Sequence, residues 1–341
     1  MKQNREILKV ENVSVTFSTP YQKIKAVKEA GFILKQGECL AIVGESGCGK
    51  SALVKSILQL NPLQTTQIES GKITYCGKEL IHLSEKQIRK YRGQEIGMVF
   101  QDPIASLNPT MPIGKQIEES VKLKTSSLSK EEAYERVVSL LTLVGIPSPE
   151  KRYNLYPFEL SGGMCQRVMI AIALAGSPKI LILDEPTTAL DVTIQAQILE
   201  QLKKIQKKLA MSILFITHNL SLVSSFCDRI LVMYGGHIVE EAETTHLLTK
   251  PRHPYTQKLL ASIPSLKQNK ECGLSPIKGS PPSAKDNIKG CMFHPRCPYA
   301  TEICYSLSPQ LEEDQYGSCA CHHVKKAEVC KDTLVTLGEK A

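Results

Sequence analysis

The stretch Cys39–Leu60, "CLAIVGESGCGKSALVKSILQL", decides how the rest of the chain is read. It opens on a short apolar run that reads as a buried strand. Gly44 to Ser51 then fits the pattern GxxxxGK followed by Ser or Thr, and apolar residues at helical spacing come next. Glycines let a backbone wrap closely around phosphate with successive N–H groups pointing inward. The helix that follows adds the partial positive charge of its N-terminus. Lys50 is placed to reach β- and γ-phosphates, and the Ser51 hydroxyl to ligate Mg²⁺. The nucleotide-binding candidates are therefore Gly44, Glu45, Ser46, Gly47, Cys48, Gly49, Lys50, Ser51 and Ala52. The strand before and the helix after separate this loop from a chance glycine-rich turn.

"PKILILDEPTTALD" (Pro178–Asp191) supplies the other half of a nucleotide hydrolase. The run Ile180–Leu183 reads as a buried strand ending in adjacent carboxylates. Asp184 is the candidate Mg²⁺ ligand. Glu185, one residue on, is placed to polarise an attacking water. Alone, the acidic pair could be a surface turn; beside a phosphate loop it points to ATP or GTP hydrolysis.

"LSGGMCQR" (Leu160–Arg167) narrows the class. Ser161, Gly162 and Gly163 precede the helical run "MCQRVMIAIALAG" and so offer a hydroxyl and N–H groups at a helix N-terminus. The order of motifs resembles the ATP-binding cassette (ABC) ATPases: the phosphate loop, "VFQDP" with Gln101, "LSGG", the acidic strand, "TALD", and "FITHNL" with His218. The resemblance implies an α/β fold with a RecA-like parallel core, an antiparallel β subdomain and a helical subdomain. It implies ATP with Mg²⁺ held by Ser51, Gln101 and Asp184. It makes Glu185 the general base, places His218 and Lys50 against the γ-phosphate, and gives Asp191 the organisation of the opposite site across a dimer. Ser161, Gly162 and Gly163 would meet the nucleotide of the partner cassette. Phe17 in "VSVTF", rather than Tyr21, is the candidate for stacking on adenine.

The departures from the family pattern are mild. Met164 stands where Gln is frequent and Asn219 where Asp is common, and neither position supplies a required charge. Cys165 stands where Arg is usual, which puts that Arg's contacts in doubt. Cys48 inside the phosphate loop reads as a small turn residue, with oxidation beside bound phosphate as a hypothesis.

The chain has 341 residues, is 42% hydrophobic and 22% charged, and carries a net charge of +8. That size suits two or three structural units, and the balance is that of a globular protein. No apolar run reaches the roughly 18–20 residues of a membrane span, and "MKQNREILKVENV" lacks a secretory h-region. These features read as a cytosolic chain unless a partner holds it against a membrane, and the resemblance implies a peripheral subunit on the cytoplasmic face of the inner membrane. "LKKIQKKLA" (Leu202–Ala210) alternates basic and apolar residues at helical spacing, a solvated helix face rather than a nucleic-acid patch. With no Trp and no aromatics among the basic residues, nothing suggests single-strand binding.

"LSKEEAYERVVSLLTLVGI" starts with Ser129 and has Glu132 three residues later, the pattern of a capping box, so a helical subdomain is expected over about 103–165. "RILVMYGGHIVEEA" (Arg229–Ala242) predicts two strands about a Gly-Gly turn. With "ILKVENVSVTF" and "GFILKQGE", it suggests the antiparallel component. A Pro/Gly/Ser/Lys connector, Gly273–Gly290, sets the cassette (1–255) apart from an extension (256–341).

The resemblance continues past the cassette. "LSGGMCQRVMIAIALAGSPKILILDEPTTALDVTIQAQIL", "PRHPYTQKLLASIP" (Pro251–Pro264), "KGSPPS" and "GCMFHPRCPYATEIC" are similar to the ATP-binding subunits of dipeptide/oligopeptide importers and related nickel importers. This implies a second, different ATPase subunit, two membrane permeases and an extracytoplasmic substrate-binding protein as partners. Nickel or antimicrobial-peptide transport, or a soluble ABC ATPase acting on nucleic acid, are the alternatives.

Seven of twelve cysteines fall after residue 270. Cys291, Cys297, Cys304 and Cys321 are spaced C-x5-C-x6-C-x16-C, and a reducing compartment disfavours disulfides. Spacing alone leaves an iron–sulfur cluster, zinc and unliganded thiols open. The resemblance implies a 4Fe–4S cluster at these four. Cys319 is the rival to Cys321, and His294, His322 or His323 could substitute. Cys272 and Cys330 read as incidental.

Overall fold

The computed structural model describes residues 5–125, 127–188, 190–263, 277–283, 286 and 288–324. Cys272 and Cys330 lie outside the described residues. The chain divides into two compact units.

The first unit collects residues 5–6, 34–39 and 82–216. Strands Ile96–Val99, Ile180–Asp184 and Ser212–Thr217 run parallel, with Ile96 opposite Ile180 and Ile180 opposite Ser212. The last two strands are buried at every position, as expected of parallel strands covered on both faces. The stretch 103–165 holds helices and no strand among the described residues. Helices Ile113–Lys124, Lys130–Leu143 and Gly162–Leu174 pack on one another through Ile113, Ile117, Val121, Val137, Leu140, Leu141 and Val168. The capping box forms as read: the Ser129 hydroxyl accepts from the Glu132 N–H at 3.1 Å, and the Glu132 carboxylate accepts from the Ser129 N–H at 2.8 Å. Glu118 accepts from Lys115, Lys122 and the Tyr153 hydroxyl, and these donors hold its carboxyl down at about 2. Helix Val192–Leu209 buries Ile198, Leu199, Leu202 and Ile205, so its lysines form the solvated face predicted for 202–210.

The second unit contains residues 7–33, 40–81 and the described residues from 217 onward. One antiparallel sheet orders strands Lys23–Lys35, Glu6–Ser18, Thr66–Tyr75 and Lys78–Glu79. The Gly-Gly hairpin also forms, with strands Arg229–Tyr234 and His237–Glu243 and with Gly235 and Gly236 both at positive φ, where glycine is favoured. Its placement differs from the sequence expectation. Arg229–Tyr234 pairs in parallel with Cys39–Val43, so the hairpin extends the strand that feeds the phosphate loop rather than joining the antiparallel sheet. Five of its six first-strand residues are buried, which a one-sided antiparallel sheet would not require.

The tail returns to this unit as a further strand. Gly317–Cys319 pairs antiparallel with His237–Glu243, placing Cys319 opposite Glu240, and Glu312–Asp314 completes the edge. Glu240 is fully buried and accepts from the backbone N–H groups of Arg252 at 2.8 Å and His253 at 3.0 Å. Burial pushes the Glu240 carboxyl up, while the Thr256 hydroxyl and these two N–H groups pull against it.

Candidate functional site

The phosphate loop leaves strand Cys39–Val43, buried at all five positions, and enters helix Lys50–Ile57. Gly49 sits at φ 105°, and a Cβ there would lie 2.3 Å from the Ala26 carbonyl oxygen, so only glycine fits. Gly44 is equally confined: a Cβ would meet the Met233 carbonyl oxygen at 2.2 Å. Ser46 and Gly47 form the exposed tip. The Lys50 ammonium is buried and folds back over its own loop, donating to the carbonyls of Gly44 at 2.8 Å and Glu45 at 2.9 Å. A cation parked over a ring of amides is the arrangement that phosphate oxygens would take over.

Cys48 is buried with its thiol 3.7 Å from the Lys50 ammonium. Burial pushes that thiol up despite the ammonium, so Cys48 is no activated thiolate. Phe17 is half-buried near the end of its strand, opposite Thr66, while Tyr21 is 96% exposed. His218 is exposed just past strand Ser212–Thr217.

The carboxylates belong to the first unit. Asp184 is 2% exposed and ends the buried strand Ile180–Asp184, at the carboxyl end where ligands bind in open α/β sheets. Glu185 adopts φ 48°, a left-handed conformation that a glutamate rarely takes and that re-aims its side chain at the strand end. One carboxylate oxygen of Glu185 accepts from the Gln101 side-chain amide at 3.0 Å and from the Thr188 hydroxyl at 3.1 Å. Thus Gln101 and Glu185, 84 positions apart in sequence, come together, a contact the sequence reading did not assign. Thr188 was not singled out from the sequence; its only local signal is the spacing of three from Glu185.

The signature segment also lies in the first unit. Ser161 caps helix Gly162–Leu174, its hydroxyl accepting from the Met164 N–H at 3.4 Å, and Asp191 caps helix Val192–Leu209, accepting from the Ile194 N–H at 2.9 Å. A Cβ on Gly163 would lie 2.8 Å from Ile194, so these two helix starts are packed together. Cys165 points inward, buried, with its thiol 3.4 Å from the Pro157 carbonyl oxygen.

In the tail, Cys291, Cys297, Cys304 and Cys321 line one small cavity with His294, His322 and His323. Cys319 is not among its walls; it is buried in the strand opposite Glu240. Burial pushes the Cys291 thiol up to about 11, and Cys304, Cys321 and Cys297 add to that rise. The donor chemistry is that of a thiolate-rich site. Among the described residues, however, no group of three or more His, Cys, Asp or Glu side chains is arranged to hold a metal ion. The cluster implied by the resemblance is therefore not supported at that level.

Glu45 has two partners that sequence reasoning did not assign. Its backbone N–H donates to the Tyr255 hydroxyl at 2.9 Å, and its carboxylate takes both ends of the Arg296 guanidinium at 2.7 and 3.1 Å. No helix among the described residues is long and apolar enough to cross a membrane.

With this geometry in hand, the similarities to known proteins are informative. The ABC transporter family model matches residues 27–188, and the model of the oligopeptide/dipeptide transporter C-terminal region matches residues 239–304. The chain is 51% identical over 305 residues to the oligopeptide transport ATP-binding protein OppD of Bacillus subtilis, covering 89% of this chain and 85% of the relative. It is 44% identical over 318 residues to the dipeptide transport ATP-binding protein DppD of Escherichia coli, covering 93% and 96%. Among solved structures, the ATP-binding cassette MJ0796, a dimer in a post-hydrolysis state bound to ADP and Pi, aligns with a TM-score of 0.63 at 29% identity, covering 70% of this chain and 99% of that one.

Proposed function

The chain belongs to the ATP-binding subunits of the oligopeptide and dipeptide ABC transporters, and on that premise we propose how its residues drive uptake of a peptide. The subunit is an ATPase motor with the cassette fold. The observation that carries the reading is the phosphate loop, where glycine-only geometry and a buried Lys50 over the loop carbonyls form a ready polyphosphate cradle.

ATP is the substrate. The loop N–H groups from Gly44 to Ala52 and the Lys50 ammonium take its phosphates, and Phe17 stacks on its base. Mg²⁺, when bound, neutralises phosphate charge, and Ser51, Asp184 and Gln101 are the residues that would hold it. Gln101 can serve both neighbours: its amide nitrogen is on Glu185, and its carbonyl oxygen is the end a cation would take. Glu185 is the general base that takes the proton of the attacking water, and His218 contacts the γ-phosphate. Ser161, Gly162, Gly163 and Asp191 serve the nucleotide of a second cassette, so ATP closes a dimer and hydrolysis opens it. That cycle works on two membrane permeases fed by a substrate-binding protein, with this subunit peripheral on the cytoplasmic face and paired with a different ATPase. The helical stretch 103–165 docks on the permeases, and residues from about 256 form an appended extension.

Vesicles carrying this chain, its partner ATPase and both permeases should take up labelled di- or oligopeptide only with ATP inside and binding protein outside. Uptake that persists with Lys50→Ala, or a failure to transport any peptide while Ni²⁺ is taken up, would refute the peptide-motor reading.

The tail cysteines are read as ligands of a 4Fe–4S cluster, with zinc as the alternative. Support comes from their donor chemistry and from Cys291, Cys297, Cys304 and Cys321, but not Cys319, lining one cavity. Anaerobic purification with iron, sulfide and zinc analysis tests it. Cys321→Ser should lose iron and Cys319→Ser should keep it; iron-free wild-type protein contradicts the cluster.

A further inference from the structure

Arg296 lies in the tail, between His294 and Cys297, yet its guanidinium ends at the phosphate loop 251 positions away. It is 5% exposed, and its fork spans both oxygens of Glu45 at 2.7 and 3.1 Å. The rest of the group is fixed as well. Its Nε donates to the Lys278 carbonyl at 3.0 Å, one terminal nitrogen reaches the Tyr234 hydroxyl at 3.3 Å, and the guanidinium lies 5.9 Å from the Tyr234 ring centre. Tyr234 packs on Tyr255 with ring centres 4.5 Å apart, and Tyr255 is the residue whose hydroxyl accepts the Glu45 N–H. Two segments, "PRHPYT" at the end of the cassette and "HPRCPY" in the extension, therefore converge on one residue of the loop, one on its backbone and one on its carboxylate.

We propose that Arg296 is a positioning residue for the phosphate loop, fixing and neutralising the Glu45 carboxylate so that the loop meets polyphosphate preorganised and without a bare anion beside it. The physical case is electrostatic. A bidentate Arg–carboxylate pair with a buried guanidinium keeps its geometry, unlike an exposed ion pair. Removing only the cation would leave Glu45 unpaired next to a ligand that is itself strongly anionic, and like charges in a partly desolvated site repel. The loop would also regain conformational freedom that binding must remove again. The same contact makes nucleotide affinity depend on how the tail is folded, because Arg296 immediately precedes Cys297. The inference rests on reading Gly44–Ser51 as the nucleotide's phosphate loop.

The test is MgADP binding to the full-length chain by calorimetry, with melting temperatures as a check on folding. Arg296→Met should raise the dissociation constant about tenfold, and Glu45→Gln about two- to threefold. The double variant should bind no worse than Glu45→Gln alone, so that removing the anion rescues removal of the cation. A merely structural role for Arg296 would give no such rescue. Arg296→Met within twofold of wild type, or a double variant that binds no more tightly than Arg296→Met, overturns the proposal. Arg296→Gln stands in if the Met variant does not fold, with the same ordering required. Lys50→Ala is the control for the underlying reading: if it binds MgADP as tightly as wild type, the phosphate-loop assignment fails, whatever Arg296 does.

Discussion

The phosphate loop and the signature segment Ser161–Gly163 both open a helix, and they are held in different ways. The loop is held from a distance: Ala26 and Met233 fix where its glycines must be, and Tyr255 and Arg296 hold Glu45. The signature start is capped by its own Ser161 and packs against the start of one neighbouring helix, which Asp191 caps. A loop that must bind nucleotide tightly on its own benefits from tertiary preorganisation. On the proposed function, a surface that completes its site against a second cassette needs chiefly correctly capped helix N–H groups.

The contrast is broken most severely at Gly49. Gly49→Ala forces a Cβ against the Ala26 carbonyl at positive φ, and should abolish nucleotide binding while destabilising the fold by about 2–4 kcal/mol. Near-normal ATP binding by this variant would mean the loop is not held as described.

Acid should separate the two units. His253 is fully buried and neutral, its Nδ1 accepting the Tyr255 N–H at 3.0 Å, and burial drives its folded pKa down to about 3. Between about pH 6.5 and 3 the unfolded chain takes up a proton that the folded one refuses. Stability is lost as pH falls through that window, by at most about 1.4 kcal/mol per pH unit. Glu118, in the other unit, has its carboxyl held down at about 2 by Lys115, Lys122 and Tyr153. Its contribution is complete above about pH 4.5 and is lost only as pH falls from there toward about 2. Melting temperatures from pH 7 to 3 should therefore fall less steeply for His253→Asn between pH 6.5 and 5. Glu118→Gln should match the wild-type slope there and flatten it only below about pH 4.5. Parallel curves for all three proteins would contradict the assignment.

Local capping sharpens the comparison with smaller effects. Ser129→Ala removes the acceptor for the Glu132 N–H and should cost about 1 kcal/mol in denaturant unfolding. Lys204→Ala removes an exposed partner of Glu200 and should leave the melting temperature unchanged.

What the sequence discloses follows the same division. The phosphate loop, the acidic strand, the Ser129 capping box and the Gly-Gly hairpin are signalled by residues within a few positions of one another, and each forms as read. The hairpin's sheet partner is not, because parallel pairing with Cys39–Val43 joins segments far apart in sequence. The tail strand Gly317–Cys319 on His237–Glu243 and the Arg296–Glu45 pair are likewise invisible to periodicity. Around Glu185, motif order singled out Gln101 and Glu185 separately, and neither their contact nor that of Thr188 was legible from order or period. The cysteine spacing left both the ligand and the fourth member open; the resemblance favoured Cys321 with Cys319 as its rival, and it is tertiary placement that puts Cys321 and not Cys319 on the cavity wall.

On the proposed function, nucleotide drives the cassette and Glu185 serves as general base. The direct measurement is ATP binding, cassette dimerisation and phosphate release for Glu185→Gln beside wild type, with the partner ATPase subunit present. Unimpaired ATP binding, an ATP-stabilised dimer and turnover reduced about 10²–10⁴-fold are expected. Wild-type turnover, or a variant that no longer binds ATP, would contradict that role.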